Sequence, residues 1–202
     1  MTKPSPVYEQ TYHRYLQDLA TLDLEERAAA TGGHFEGGHL SLPFLERLCR
    51  VSREGIAYED GRRPNLALCV ILFKYILMSP ASPPGKMEWA AYRNFRDAAP
   101  LAGSFSANSE HPIAAKWAGD PKGLEQACTR FAGLPLASEL SYDLVIRFQA
   151  LPRLPLLLLF NDAEEVFPAD CRLLFEQQAA CYLDMECLAM VAMLLRERLA
   201  PA

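Results

Sequence analysis

The unbroken apolar run from Leu154 to Phe160 (Leu-Pro-Leu-Leu-Leu-Leu-Phe) constrains the fold of this chain more than any other stretch. It is too short for a transmembrane helix, because a bilayer core is roughly 30 Å thick. A short run that is apolar on both alternating faces suits a strand covered on both sides. Upstream, Leu144, Ile146 and Phe148 alternate with Val145, Arg147 and Gln149, and Leu151-Pro152 separates the two stretches. Asn161-Asp162 begins a turn. Val166-Phe167 reads as the start of a return strand, and Arg172 to Phe175 as another short strand.

A second β region precedes it. Gly37-Gly38 is a two-residue hairpin signal. Counting outward pairs Glu36 with His39, Phe35 with Leu40 and His34 with Ser41. That register puts Phe35, Leu40, Leu42 and Phe44 on one face and His34, Glu36, His39 and Ser41 on the other, as in a half-buried antiparallel sheet. Leu48 to Val51 and Ile56 to Tyr58 extend it as a meander, with a turn at Glu54-Gly55.

Helices flank these strands. Tyr8, Tyr12, Tyr15, Leu16 and Leu19 recur at helical spacing between Val7 and Leu22. Asp23 with Glu26 resembles a capping box, and Gly32 supplies a left-handed stop. Pro64 suits the first turn of an almost wholly apolar helix from Asn65 to Met78 that should be buried. Pro112 opens a short helix containing Ile113 and Trp117. Asp120-Pro121 starts another with Leu124, Cys128 and Phe131 on its stripe, closed by Gly133. Asp184 caps a last helix, Met185 to Leu199. Between Ser79 and His111 no period is convincing, yet Trp89, Tyr92, Phe95 and Phe105 lie there. An aromatic-rich segment of that length should pack down as an ordered lid. Strands in runs, rather than singly between helices, predict an α+β fold. The expected architecture is a mixed or antiparallel sheet with N-terminal and C-terminal helices packed on it and one long ordered loop, as a single domain over residues 1–202.

Composition narrows the function classes. Apolar residues make up 50% of the 202, the ordinary share for a globular chain. The formal net charge is −5 and no stripe of Lys or Arg stands out, which argues against nucleic-acid binding. The longest apolar run, Leu66 to Met78, is interrupted by Lys74, so no membrane span is expected. Met1 to Pro6 lacks the apolar stretch of a secretory signal, and a cytoplasmic protein is expected. The cysteines (Cys49, Cys69, Cys128, Cys171, Cys181, Cys187) sit mostly in apolar surroundings with no two-residue gap, which predicts reduced, buried thiols. Cys171 and Cys181, expected in loops, are the two to test for reactivity.

Three constellations carry possible chemistry. His34, Glu36 and His39 share a hairpin face and have the donor types of a Zn²⁺ or Fe²⁺ site with an activating water. A solvated polar face with one cross-strand ion pair is the simpler explanation and the favoured one, because two histidines and a Glu beside a Gly-Gly turn arise readily by chance. Asp162, Glu164 and Glu165 follow the buried strand, where carboxylates act as a general base, bind a cation or simply end a strand in water. Trp89, Tyr92 and Arg93 combine an aromatic with a guanidinium, a pairing that grips an anionic or planar group or packs a loop onto the body. No nucleophile motif and no phosphate-cradling glycine loop is present.

The stretch Ala150 to Asp162, then Glu164-Glu-Val-Phe-Pro168, Leu173-Leu-Phe175, and Tyr182-Leu183 with Glu186, resembles a known pattern. Leu42-Pro-Phe44 after the glycine-rich hairpin and Lys86-x-x-Trp89-x-x-Tyr-Arg93 agree with it. The chain is similar, over nearly its whole length, to the domain-of-unknown-function family 3786 of bacteria and archaea. That family has no established activity, so the resemblance implies no catalytic residue. It implies at most a link to corrinoid, one-carbon or iron–sulfur metabolism. By position it points to Trp89, Arg93, Asp162 and Glu165. The leading expectation is an accessory or ligand-binding module. In it the 79–111 segment closes a pocket, Trp89 and Arg93 hold a small anionic or planar ligand, and Asp162 or Glu165 forms its rim. The alternatives are a metal-dependent hydrolase or lyase using His34, Glu36 and His39 or the Asp162/Glu165 pair, and a protein–protein adaptor.

Overall fold

The computed structural model describes residues 6–82, 85, 88–137 and 141–201. Lys86 of the resemblance pattern, two of the prolines after Ser79 and the first residues of the chain lie outside them.

The architecture is α+β, as expected, with its strands divided between two antiparallel sheets rather than gathered in one. Helices α1 (Pro6–Ala20) and α2 (Leu24–Thr31) come first. The Asp23 side chain accepts hydrogen bonds from the Glu25 and Glu26 N–H groups, and Gly32 ends α2 in the left-handed region at φ 72°. Strands β1 (His34–Glu36), β2 (His39–Phe44), β3 (Arg47–Ser52) and β4 (Gly55–Tyr58) then form a four-stranded meander. Its first hairpin has the register the glycines imply, with Glu36 opposite His39 and His34 opposite Ser41. Gly33 is required by close approach. A Cβ there would lie 2.7 Å from Leu42 Cδ2 and 2.9 Å from the Ser41 carbonyl oxygen.

Helix α3 (Leu66–Met78) is the central pillar, as its apolar circumference predicts. Its cap is Asn65, whose side chain accepts from the Leu68 N–H, so Pro64 precedes the cap instead of entering the first turn. Buried Tyr75 on α3 donates to the Thr31 carbonyl (2.7 Å) and accepts from the Arg153 N–H (2.9 Å), tying the end of α2 to the second sheet. On α1, Tyr12 accepts from the Ile56 N–H at 2.9 Å and holds β4.

The second sheet has the order β5-β9-β8-β7-β6, with β5 (Trp89–Ala91), β6 (Leu134–Pro135), β7 (Leu144–Leu151), β8 (Leu154–Asn161) and β9 (Asp170–Glu176). The apolar run is β8, the central strand, buried from Leu154 to Phe160. Its Leu156, Leu158 and Phe160 join the main core, while Leu157 and Leu159 pack with Val145, Trp89, Tyr142 and Leu174 on the opposite face. Truncating a core ring such as Phe148 to Ala would remove about 3–5 kcal/mol of stability. Helix α7 (Met185–Leu199) closes the core, capped by Asp184, which accepts from the Cys187 N–H. The two sheets meet where the Leu45 N–H donates to the Ala150 carbonyl at 3.1 Å.

Three further expectations change. The segment before His111 is not one long loop: its described residues contain β5, a 3-10 turn at Tyr92–Asn94, helix α4 (Ala102–Phe105) and a π-helical turn at Ser106–Glu110. Helices α5 (His111–Trp117) and α6 (Pro121–Arg130) follow. Val166 and Phe167 begin no strand. They are 80% and 67% exposed in the loop between β8 and β9. Cys171 lies buried inside β9, where desolvation pushes its thiol well above the ordinary range, so it is not a reactive candidate. Burial likewise drives Cys49, Cys69 and Cys128 up to about 12, and Cys181 is exposed.

Candidate functional site

Residues 102–117 form one helical rod with a π turn in its middle, and Pro112 supplies a cause. Proline has no N–H to give the carbonyl four residues back, and its ring crowds that carbonyl. The freed Asn108 oxygen accepts instead from Arg196 Nε on α7 at 3.1 Å. The helix widens there, and the His111 N–H reaches the Ser106 carbonyl, an i to i+5 bond.

The wider turn aims Glu110 at the sheet. Strand β5 pairs with β9 from Leu174 to Glu176 and turns away at Ala91. The N–H of Leu173, next along the edge, therefore has no strand partner on that side. Glu110 Oε1 accepts it at 3.0 Å, so a carboxylate completes the ladder where the strand stops. Its other oxygen, Oε2, accepts from the Ser106 hydroxyl at 2.6 Å and lies 3.9 Å from Arg172 Nη1. Glu110 is 6% exposed, and only it and Glu176 are buried carboxylates among the described residues. A buried charge persists only when paired and hydrogen-bonded, and here the Leu173 N–H, the Ser106 hydroxyl and the nearby Arg172 supply those partners.

Beside Glu110 is a cavity of about 260 Å³. One wall is aromatic: the Tyr92 and Phe105 rings stack 4.1 Å apart and 3° from parallel. Tyr92 is fixed by donating to the Met185 carbonyl at 2.8 Å, and burial pushes its phenol up to about 12, so it stays neutral. The polar lining is Arg93, Ser106, Glu110 and Arg172. Arg172 Nε donates to Asp170 Oδ2 at 2.9 Å, which leaves its terminal nitrogens toward Glu110. Arg93 is exposed at the rim and forms no ion pair among the described residues. His111 Nε2 stands 3.3 Å from the Ser106 hydroxyl.

Wider hollows exist elsewhere. The one beside the β8–β9 loop, about 670 Å³, is lined by Tyr142, Asp143, Glu164, Phe167 and Asp170. Another of about 570 Å³ lies between Leu22 and Phe35, near Arg53 and Glu54. Size does not decide between them. Among these three the Glu110 cavity alone has a buried carboxylate in its wall, held by fixed donors from the sheet edge and the π turn.

Of the residues singled out from sequence, Tyr92 and Arg93 line this cavity and Trp89, Asp162 and Glu165 do not. Trp89 faces the other side of the sheet, paired with Glu176 and packed with Leu174. Asp162 accepts from the Gly119 N–H at 2.6 Å and the Ala163 N–H at 2.7 Å, fastening the α5–α6 corner to the end of β8. Glu165 is exposed in the adjoining loop. On the hairpin, His34 Nε2 is 3.7 Å from Glu36 Oε2, and His39 Nδ1 is turned to the Gly37 carbonyl at 2.9 Å. Among the described residues no group of three or more His, Cys, Asp and Glu side chains gathers closely enough to hold a metal ion. Sequence reading passes over Ser106, Glu110 and Arg172. The one signal available for them is Pro112 within a helical stretch, which marks an irregular turn just upstream.

A family model for a domain of unknown function, DUF3786, matches residues 23–198. No curated protein and no solved structure matches the chain.

Proposed function

The chain belongs to the DUF3786 family, and we propose that it is a binding module that holds a small molecule by an anionic group in the cavity at the β9 edge. The observation that carries this reading is that two arginines from separate elements, Arg93 after β5 and Arg172 on β9, line one aromatic-walled cavity. Guanidinium forks suit carboxylate and phosphate groups, and stacked rings give an apolar or planar part its surface. The π turn beside it adds support, because such turns recur at functional sites. This keeps the anion-gripping role read from Arg93 and replaces Trp89 by the Tyr92–Phe105 wall.

The test is the thermal midpoint of the purified protein across a panel of small carboxylates, phosphates and amino acids. A ligand at a hundredfold excess over its Kd adds about 2.7 kcal/mol. For a chain of this size that is a rise of roughly 5–10 °C. Arg93→Ala with Arg172→Ala should abolish the rise. A panel that never moves the midpoint, or a rise that survives the double substitution, overturns the reading.

A further inference from the structure

The ligand chemistry can be narrowed, on the premise of the proposed function, by the charge pattern of the cavity. Arg93 and Arg172 favour an anionic group. Glu110 opposes a second one. An ionised carboxylate offers about four acceptor positions. The Leu173 N–H and the Ser106 hydroxyl occupy two of them. Arg172, at 3.9 Å, is beyond hydrogen-bond reach. Acceptor capacity therefore remains on a buried carboxylate in the cavity wall, where a second negative charge is repelled and a cationic donor is attracted. Phosphate and dicarboxylates satisfy the arginines but set negative charge against Glu110. A neutral apolar molecule satisfies neither.

We propose that the site takes a small zwitterion of the α-amino-acid type: its carboxylate between Arg93 and Arg172, its ammonium on Glu110, and an aliphatic side chain against Phe105 and Tyr92. Size agrees. At roughly 30 Å³ per water-sized group, the cavity of about 260 Å³ holds on the order of eight non-hydrogen atoms, the scale of a branched aliphatic amino acid. Ser106 completes the arrangement by holding Glu110 Oε2 in place at 2.6 Å.

Isothermal titration of the whole protein with four probes tests this: L-leucine, 4-methylpentanoate (no ammonium), 3-methylbutylamine (no carboxylate) and inorganic phosphate. The expected result is that L-leucine binds at least tenfold tighter than the other three. Glu110→Gln keeps an oxygen for the Leu173 N–H but removes the charge. It should weaken L-leucine at least tenfold and leave 4-methylpentanoate unchanged or tighter. Arg93→Ala, at an exposed position, should weaken L-leucine and 4-methylpentanoate alike. Equal or better binding of 4-methylpentanoate or phosphate, an unmoved L-leucine affinity in Glu110→Gln, or no L-leucine binding at millimolar concentration overturns the zwitterion assignment. If some other anion from the metabolite panel still binds and depends on Arg93 and Arg172, the binding-module reading stands alone. If nothing does, both fall.

Discussion

At the β1–β2 hairpin, Glu36 lies beside His34 and opposite His39, with 84% of its side chain in water. At the β9 edge, Glu110 precedes His111 and is 6% exposed, held by the Leu173 N–H and the Ser106 hydroxyl. The residue types are nearly the same and the energetics are opposite. Water solvates the hairpin carboxylate, so its neighbours add little beyond a screened surface pair. The Glu110 carboxylate has lost that water, and each fixed donor near it matters. Proximity of His and Glu in sequence therefore says little about chemistry until burial is known.

Substitutions that sharpen or break this contrast range over an order of magnitude. The largest effect belongs to Glu110→Ala. It strands the Leu173 N–H at a buried sheet edge and should cost about 3 kcal/mol in urea denaturation; a loss as small as that at Glu36 would dissolve the distinction. Asp184 is the intermediate case. It caps α7 and pairs with Lys74 on α3. Asp184→Ala should cost about 1–2 kcal/mol through the cap. Burial acts to raise the Asp184 pKa, but the Lys74 hydrogen bond and the Cys187 N–H outweigh it, and the net shift is downward. A carboxylate lowered in the folded state contributes stability that is fully present above the unfolded Asp range and lost as pH falls through the folded value. Stability measured between pH 5 and pH 2 should fall less steeply in Asp184→Asn than in the parent; identical slopes would remove Asp184 from the account. The smallest effects belong to the hairpin. His34→Ala, Glu36→Ala and His39→Ala should each stay within about 0.5 kcal/mol, and a larger loss in any of them would show that its exposed face carries structural weight.

The same contrast explains what the sequence made legible. Gly37-Gly38, Asp23, Gly32 and Asp184 act through bonds to residues a few positions away, so their turns, caps and register follow from local chemistry. The apolar runs placed α3 and β8 because burial on all sides leaves little else for them to be. Even local chemistry is ambiguous where two neighbouring residues compete for one role. Ala132, at φ 62°, takes the left-handed position near the end of α6, while Gly133 is needed for close packing beneath Ile146 and Phe148. The hydrophobicity of Val166-Phe167 suggested a strand, but no neighbouring strand pairs with it among the described residues. The cavity is the feature least determined by local sequence. It joins Arg93, Glu110 and Arg172, whose meeting depends on where β5 ends and on a π turn shaped by Pro112. Pro112 marks the irregular turn, but where β5 ends and which side chains the turn brings to the sheet edge depend on tertiary packing.

A crystal structure of the protein with the metabolite that raises its melting midpoint most tests the central claim directly. The account predicts the ligand's anionic group between Arg93 and Arg172, against the Tyr92–Phe105 wall and within reach of Glu110. A ligand seated instead at the His34–His39 hairpin face or in the hollow beside Phe167, with the β9-edge cavity still holding only water, would contradict it.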